Sequence, residues 1–288
     1  MPQSEIITNK DLSIYHLHLL PDQLADDIIF VGDQDRVSQV SKHFDKIEYQ
    51  VQAREFVTHT GYIGKKRLSV ISTGIGTDNI DIVLNEIDLL KNYDFIDHKF
   101  NRHLNNDLNI IRIGTSGGIG KLIEVDSFLF SEYAIGLDGL LSFYKHRNDE
   151  VEVNILEAFK LKNQAICRSI KPYIAGGDEN LKKQFAFDMP NAITLTCTGF
   201  YAPQGRTMRF KPMFTNFFEG IEAFQYGKRS INNFEMETAG ILGLASVFGF
   251  NACSLNAILA NRTTGKFSVN PQKTIDKLIV QTLERFEH

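Results

Sequence analysis

Residues 110–120 read Ile-Ile-Arg-Ile-Gly-Thr-Ser-Gly-Gly-Ile-Gly, and no other stretch restricts the fold as tightly. Ile110, Ile111 and Ile113 are β-branched and suit a buried strand, which then breaks into glycines and hydroxyls. Glycines after a strand let backbone N–H groups approach a ligand, and successive exposed N–H groups form a nest for an anion. Arg112 interrupts the apolar run, so its guanidinium must pair with a core carboxylate or face a cleft that takes an oxyanion. Both readings follow from this stretch alone.

The spacing elsewhere predicts an α/β chain. Strands are expected at 28–31, 49–60, 66–73, 127–135, 192–198 and 252–260. Helices are expected from Arg36, over 79–90 and 151–170, from Thr238 to near Gly249, and from Pro271. Residues 92–109 are rich in Asn, His and Asp and read as a long loop or insertion. The uncharged run 238–261 is long enough to cross a membrane, but Gly240, Gly243, Gly249, Asn251, Ser254 and Asn256 break it into a buried helix and a buried strand. A length of 288 residues, 43% of them hydrophobic and 23% charged, fits an ordinary soluble globule. The net charge of −4 gives no nucleic-acid footprint. Three scattered cysteines, Cys167, Cys197 and Cys253, make neither a disulfide framework nor a metal cluster. With no basic, then apolar, leader, the expectation is a cytoplasmic protein.

Two further clusters carry chemistry. Gly32 closes the 28–31 strand and Arg36 opens the next helix, a second place to hold an anion. After the 192–198 strand, Phe200, Tyr201, Gln204 and Arg206 crowd one loop, where α/β folds bind ligands. A ring to stack on, an amide with donor and acceptor, and a fork of donors could read a nucleobase edge, or simply cover the core. The Phe210, Phe214, Phe217, Phe218 and Phe224 stripe reads as core or subunit interface. Glu235 and Glu237 straddle Met236 and are expected to diverge, one entering a cleft while the other caps or solubilises the helix.

The order of these fragments is more specific than any one of them. Gly-Asp-x-x-Arg, Arg-Glu-Phe, Thr-Gly-Ile-Gly, Arg-Ile-Gly-Thr-Ser-Gly, Phe-Tyr-x-x-Gln-x-Arg, Glu-Met-Glu and Asn-Arg-Thr succeed one another across residues 32–263. In this the chain resembles the nucleoside phosphorylase family, in its uridine phosphorylase branch. The resemblance implies one domain over 1–288, a central mixed twisted sheet flanked by helices. It also implies a phosphate site from Gly32, Arg36, Arg112 and Thr115, with Arg54 lent to a neighbouring subunit's phosphate. His16 is similar to the histidine that reaches across to the ribose 5′-hydroxyl, while Met236 and Glu237 match the ribose contacts. Phe200, Gln204 and Arg206, with Ser116 and Gly117, match the uracil pocket, and Arg262 matches a second arginine near a base carbonyl. Some relatives hold a monovalent cation such as K+ between subunits with a glutamate, a carbonyl and a serine. Glu55 and Ile75 fit, but Asn79 stands at the serine position, which weakens the case for that cation.

The implied reaction is phosphorolysis of uridine, or of deoxyuridine or thymidine, with inorganic phosphate as co-substrate and no organic cofactor. Arg112, Glu237 and Arg206 are the implied catalytic residues. Purine relatives place an aspartate where Asn261 stands here, which favours a pyrimidine. The alternatives are a nucleosidase, a purine nucleoside phosphorylase, and a silent nucleoside binder. Shared sites would require at least a homodimer, and a hexamer built as a trimer of dimers is compatible with that.

Overall fold

The computed structural model describes residues 6–101 and 107–286. Its strands are β1 (Asp27–Val31), β2 (Lys46–Ala53), β3 (Phe56–Ile63), β4 (Lys66–Ser72), β5 (Tyr93–Asp94), β6 (Lys99–Phe100), β7 (Asn109–Gly118), β8 (Phe128–Gly136), β9 (Tyr173–Gly176), β10 (Asn191–Thr196), β11 (Gln225–Tyr226), β12 (Arg229–Glu235), β13 (Asn251–Asn261) and β14 (Lys266–Phe267). The helices are α1 (Gln34–Ser41), α2 (Thr77–Asn92), α3 (Glu150–Lys162), α4 (Gln164–Cys167), α5 (Glu179–Phe185), α6 (Phe217–Glu222), α7 (Thr238–Phe248) and α8 (Pro271–Glu284).

The main sheet runs β11-β12-β10-β8-β13-β7-β1-β4-β3-β2, with parallel and antiparallel pairs mixed. This is the expected fold class. Alternation divides the apolar strands between two layers. Ile28, Phe30 and Ile110 pack with α2 and α7, while Ile29, Val31, Ile111 and Ile113 pack with α1, α5 and α8. A third cluster seats α3 and α6 against Ile193, Leu195 and Ile231. An additional antiparallel pairing, Asn233 with Gly118 and Phe234 with Gly117, joins β12 back to β7. Strands β7, β13, β8, β10 and β12 therefore close into a ring, and β1, β4, β3 and β2 extend outward from β7.

Three sequence expectations are corrected. The 49–60 strand is a hairpin, β2 and β3, because the chain turns at Arg54 with φ 55°. A β-branched run shows no sign of such a turn, since arginine is not a turn former. The 151–170 helix breaks at Asn163 (φ −116°, ψ 42°) into α3 and α4. The 92–109 stretch is not one loop: α2 continues to Asn92, β5 and β6 form a small hairpin, and β7 begins at Asn109. Residues 102–106 of that stretch lie outside the described residues.

Candidate active site

A cavity of about 890 Å³ opens where the ends of β1, β4, β7, β12 and β13 meet the starts of α1 and α2. A cavity of this size suits a small organic ligand with a co-ligand. Gly32, Asp33, Gln34, Asp35 and Arg36 line one side, from the turn between β1 and α1. Arg112, Thr115, Ser116 and Gly117 come from β7, and Glu235, Met236 and Glu237 from the junction of β12 with α7. Phe200, Gln204 and Arg206 close another side, with Phe234, Leu259, Ala260 and Phe267. Glu55, Gly74, Ile75 and Asn79 complete the wall.

At its centre Arg112, buried to 5% exposure, is held by two carboxylates at once. Its Nη2 lies 2.9 Å from Glu235 Oε2 and 2.7 Å from Glu237 Oε2. Its Nη1 donates to Asn256 Oδ1 at 3.2 Å. The guanidinium folds back over its own strand, and only glycine at 114 leaves room, since a Cβ there would sit 1.7 Å from Arg112 Nη1. Arg112 thus realises both sequence readings, a core ion pair that also faces a cavity. The expectation that Glu235 and Glu237 diverge is corrected. Residues two apart on an extended segment share a face, and the chain keeps both carboxylates on one side as β12 ends at Glu235 and Glu237 takes the N-cap position of α7. Glu235 Oε2 also accepts from the backbone N–H groups of Glu237 and Thr238, at 2.9 and 2.8 Å, and so caps α7. Gly76, at φ 98°, donates its N–H to Glu237 Oε1 at 2.9 Å.

Charge is unevenly balanced around this centre. Burial alone would lower the Arg112 pKa, but Glu235 and Glu237 outweigh it and raise it. Burial pushes the Glu237 carboxyl above its ordinary range, against the pull of Arg112. Arg36 is lowered by burial and then by the neighbouring Arg112 charge. Its guanidinium donates to the Ile113 carbonyl at 3.4 Å and, among the described residues, makes no ion pair with a carboxylate. At the other end Arg206 is lowered by burial and then by Arg262, and it too has no carboxylate partner among the described residues. Arg206 stacks 3.7 Å over the Phe200 ring, and its Nη1 donates to Gln204 Oε1 at 2.6 Å and to the Phe200 carbonyl. Each end of the cavity therefore carries spare positive charge beside a neutralised middle.

Three expected site residues, Arg262, Arg54 and His16, stand outside this cavity, and so does Asn261. Arg262 does not line the cavity; it sits behind it, donating to the Gln204 carbonyl at 3.2 Å and stacking on Phe218 and Phe234. Asn261 is turned away, its amide donating to the Gly120 and Ile123 carbonyls at 2.9 and 2.6 Å, so it supports a loop instead of facing a ligand. Arg54 and His16 lie outside the cavity of their own chain but near each other, since Arg54 lies over the Tyr15 ring at 5.3 Å and Tyr15 meets His16 edge-on. His16 Nδ1 lies 2.7 Å from Glu86 Oε1. At the candidate cation position Asn79 donates its amide to the Ile75 carbonyl at 3.4 Å. Of the phenylalanine stripe, Phe217 and Phe224 are core, whereas Phe210 is exposed. Sequence reading missed Glu235, Phe234 and Asn256. Asn233 with Glu235 in β12, and Ser254 with Asn256 in β13, polar pairs two apart within apolar strands, were the available signal for the polar ones.

Comparison with known proteins places this geometry. The chain is 26% identical over 252 residues to a uridine phosphorylase of Haemophilus influenzae, covering 87% of each. It is 23% identical over 272 residues to a DeoD-type purine nucleoside phosphorylase of a Shewanella species, covering 93% of this chain and 96% of that one. Its structure matches that of a Trypanosoma brucei nucleoside phosphorylase with uridine phosphorylase activity at a TM-score of 0.88 and 27% identity, covering 97% and 99% of the two chains. The family model described as the phosphorylase superfamily spans residues 26–286, from β1 to beyond the end of α8 and across every element that lines the cavity, and the chain belongs to that superfamily.

Proposed function

We propose that this chain is a uridine phosphorylase, a pentosyltransferase that converts uridine and phosphate reversibly to uracil and ribose 1-phosphate. The charge layout of the large cavity carries the reading: at both ends a guanidinium with no carboxylate partner among the described residues, and a carboxylate held between them. Phosphate binds against Arg36, Thr115, the Gly32 turn and the Arg112 edge, and attacks C1′ from the face opposite the base. Two adjacent arginines orient a dianion that water would otherwise hold strongly. Glu237, fixed by Arg112 and the Gly76 N–H, accepts from the ribose 2′- and 3′-hydroxyls and stabilises the positive charge that grows on the sugar. Met236 packs on the ribose.

Uracil leaves as an anion whose charge spreads onto its two oxygens. Gln204, with its amide oxygen engaged by Arg206, turns its NH2 toward them, and Arg206 supplies further donors. A well-placed donor of this kind contributes about 3 kcal/mol to the transition state. A purine leaving group calls instead for an acid at its ring nitrogen, and Arg206 with Arg262 behind it suits a departing anion better. The activities named for the Haemophilus and Trypanosoma relatives support the same substrate. Arg36, a guanidinium with no carboxylate of its own, favours phosphorolysis over hydrolysis. Arg54 and His16 complete the pocket of a neighbouring subunit in a homodimer or a ring of dimers. A panel of uridine, deoxyuridine, thymidine and inosine, assayed for free base with and without phosphate, tests the reading. Uracil release should require phosphate; equal release in its absence would establish a nucleosidase, and inosine as the preferred substrate a purine enzyme.

A further inference from the structure

The closed ring of strands has a polar interior, and its hydrogen bonds run in one direction. Arg112 can only donate, so the Asn256 atom that meets its Nη1 at 3.2 Å is the amide oxygen. The Asn256 NH2 then donates to Ser131 Oγ at 2.9 Å. At the 2.6 Å contact between Ser131 Oγ and Thr194 Oγ1, Ser131 is the donor, because the one Thr194 proton is directed to Asn233 Oδ1. Thr194 passes its own to Asn233 Oδ1 at 2.9 Å, and the Asn233 NH2 donates to Ser116 Oγ at 3.0 Å. Asn256, Ser131, Thr194 and Asn233 are wholly buried, and each bonds to the next. Of the hydroxyls in this series Ser116 alone lines the cavity, and with its oxygen already accepting, its proton is left to point at the ligand.

We infer that Ser116 is a hydrogen-bond donor to a uracil carbonyl oxygen, and that Asn233, Thr194, Ser131 and Asn256 are positioning residues that transmit its polarity from Arg112. This rests on the uridine phosphorylase reading and deepens it. The obligatory donor at the phosphate end of the cavity thereby fixes the sense of a hydroxyl at the base end, through side chains that touch neither ligand.

The test compares rates on uridine and on its 2-thio and 4-thio analogues at saturating phosphate, using the full chain. Sulfur accepts hydrogen bonds poorly, so the preference for oxygen at one of the two positions reports the donor. Ser116→Ala should lower that preference about tenfold, and Ser116→Thr should retain it. In Asn256→Asp a carboxylate accepts from both Arg112 and Ser131, so every later link turns over and Ser116 donates into the wall. The preference should fall as in Ser116→Ala, and combining the two substitutions should cost nothing more. Because the readout is a ratio, changes in phosphate affinity cancel. An unchanged preference in Ser116→Ala, or effects of the two substitutions that multiply, overturns the inference. If Asn256→Asp does not fold, Asn233→Asp inverts the last link directly, and Ser116→Ala decides in any case. No uridine turnover by the native chain would instead refute the assigned reaction together with this donor.

Discussion

At the scale of single residues, the site depends on groups whose charge and room are fixed by their neighbours. Burial raises the Glu237 pKa above its ordinary 4.5, and in its proposed role only the carboxylate, with both oxygens accepting, can serve the two ribose hydroxyls together. Uridine turnover should therefore fall on acidification with a midpoint above 4.5, and Glu237→Gln should abolish that limb along with most activity. Stability moves the other way. A folded pKa above the unfolded one gives a contribution that is present below the unfolded value and lost as pH rises through the folded value. Between those two values acid should cost turnover while the melting temperature of the native chain gains on that of Glu237→Gln. Gly114→Ala forces a methyl group to within 1.7 Å of Arg112 Nη1, so the guanidinium must move. Turnover should drop about a hundredfold, measured beside a circular dichroism spectrum that stays native. Most cavity residues were legible one at a time from their motifs. The partners of Arg112 were not, because Glu235 and Glu237 lie more than a hundred positions from it in the chain, and the expected divergence overlooked that residues two apart on an extended segment share a face.

Elements follow the same division between what a local pattern can and cannot show. The β7 stretch, the α7 helix ending at Gly249 with φ 78° and the long β13 strand are as the apolar pattern requires. The Arg54 turn was hidden because it uses a left-handed arginine where a glycine or asparagine would have signalled it. Closure of the ring by β12 on β7 joins residues more than a hundred positions apart, and no local spacing encodes that. Within the β3 strand, Thr58 carries a buried hydroxyl with no hydrogen-bond partner among the described residues. Its backbone sits in register with Val51 and Ile71, an apolar setting. Thr58→Val should stabilise the protein by about 1 kcal/mol and raise its melting temperature by ~2–4 °C, read by calorimetry.

For the whole molecule, the question is how many chains make one site. Arg54 and His16 lie together on the outside of their own cavity, as residues serving a neighbour would. Mixing refolded Arg54→Ala and Glu237→Ala chains should restore roughly a quarter of native turnover, because half of the dimers are then mixed and each holds one intact site. Activity that stays at the level of the separate variants would place each site within one chain. The ring of strands bears on this larger scale as well. The residues proposed to hold sugar and base sit on the hooped part of the sheet, whereas the Gly32 turn and Arg36 ride on β1, which is a cantilever fixed to the hoop along β7. In the proposed reaction a nucleoside with phosphate would span that seam, so catching both reactants would brace the overhanging half against the closed one.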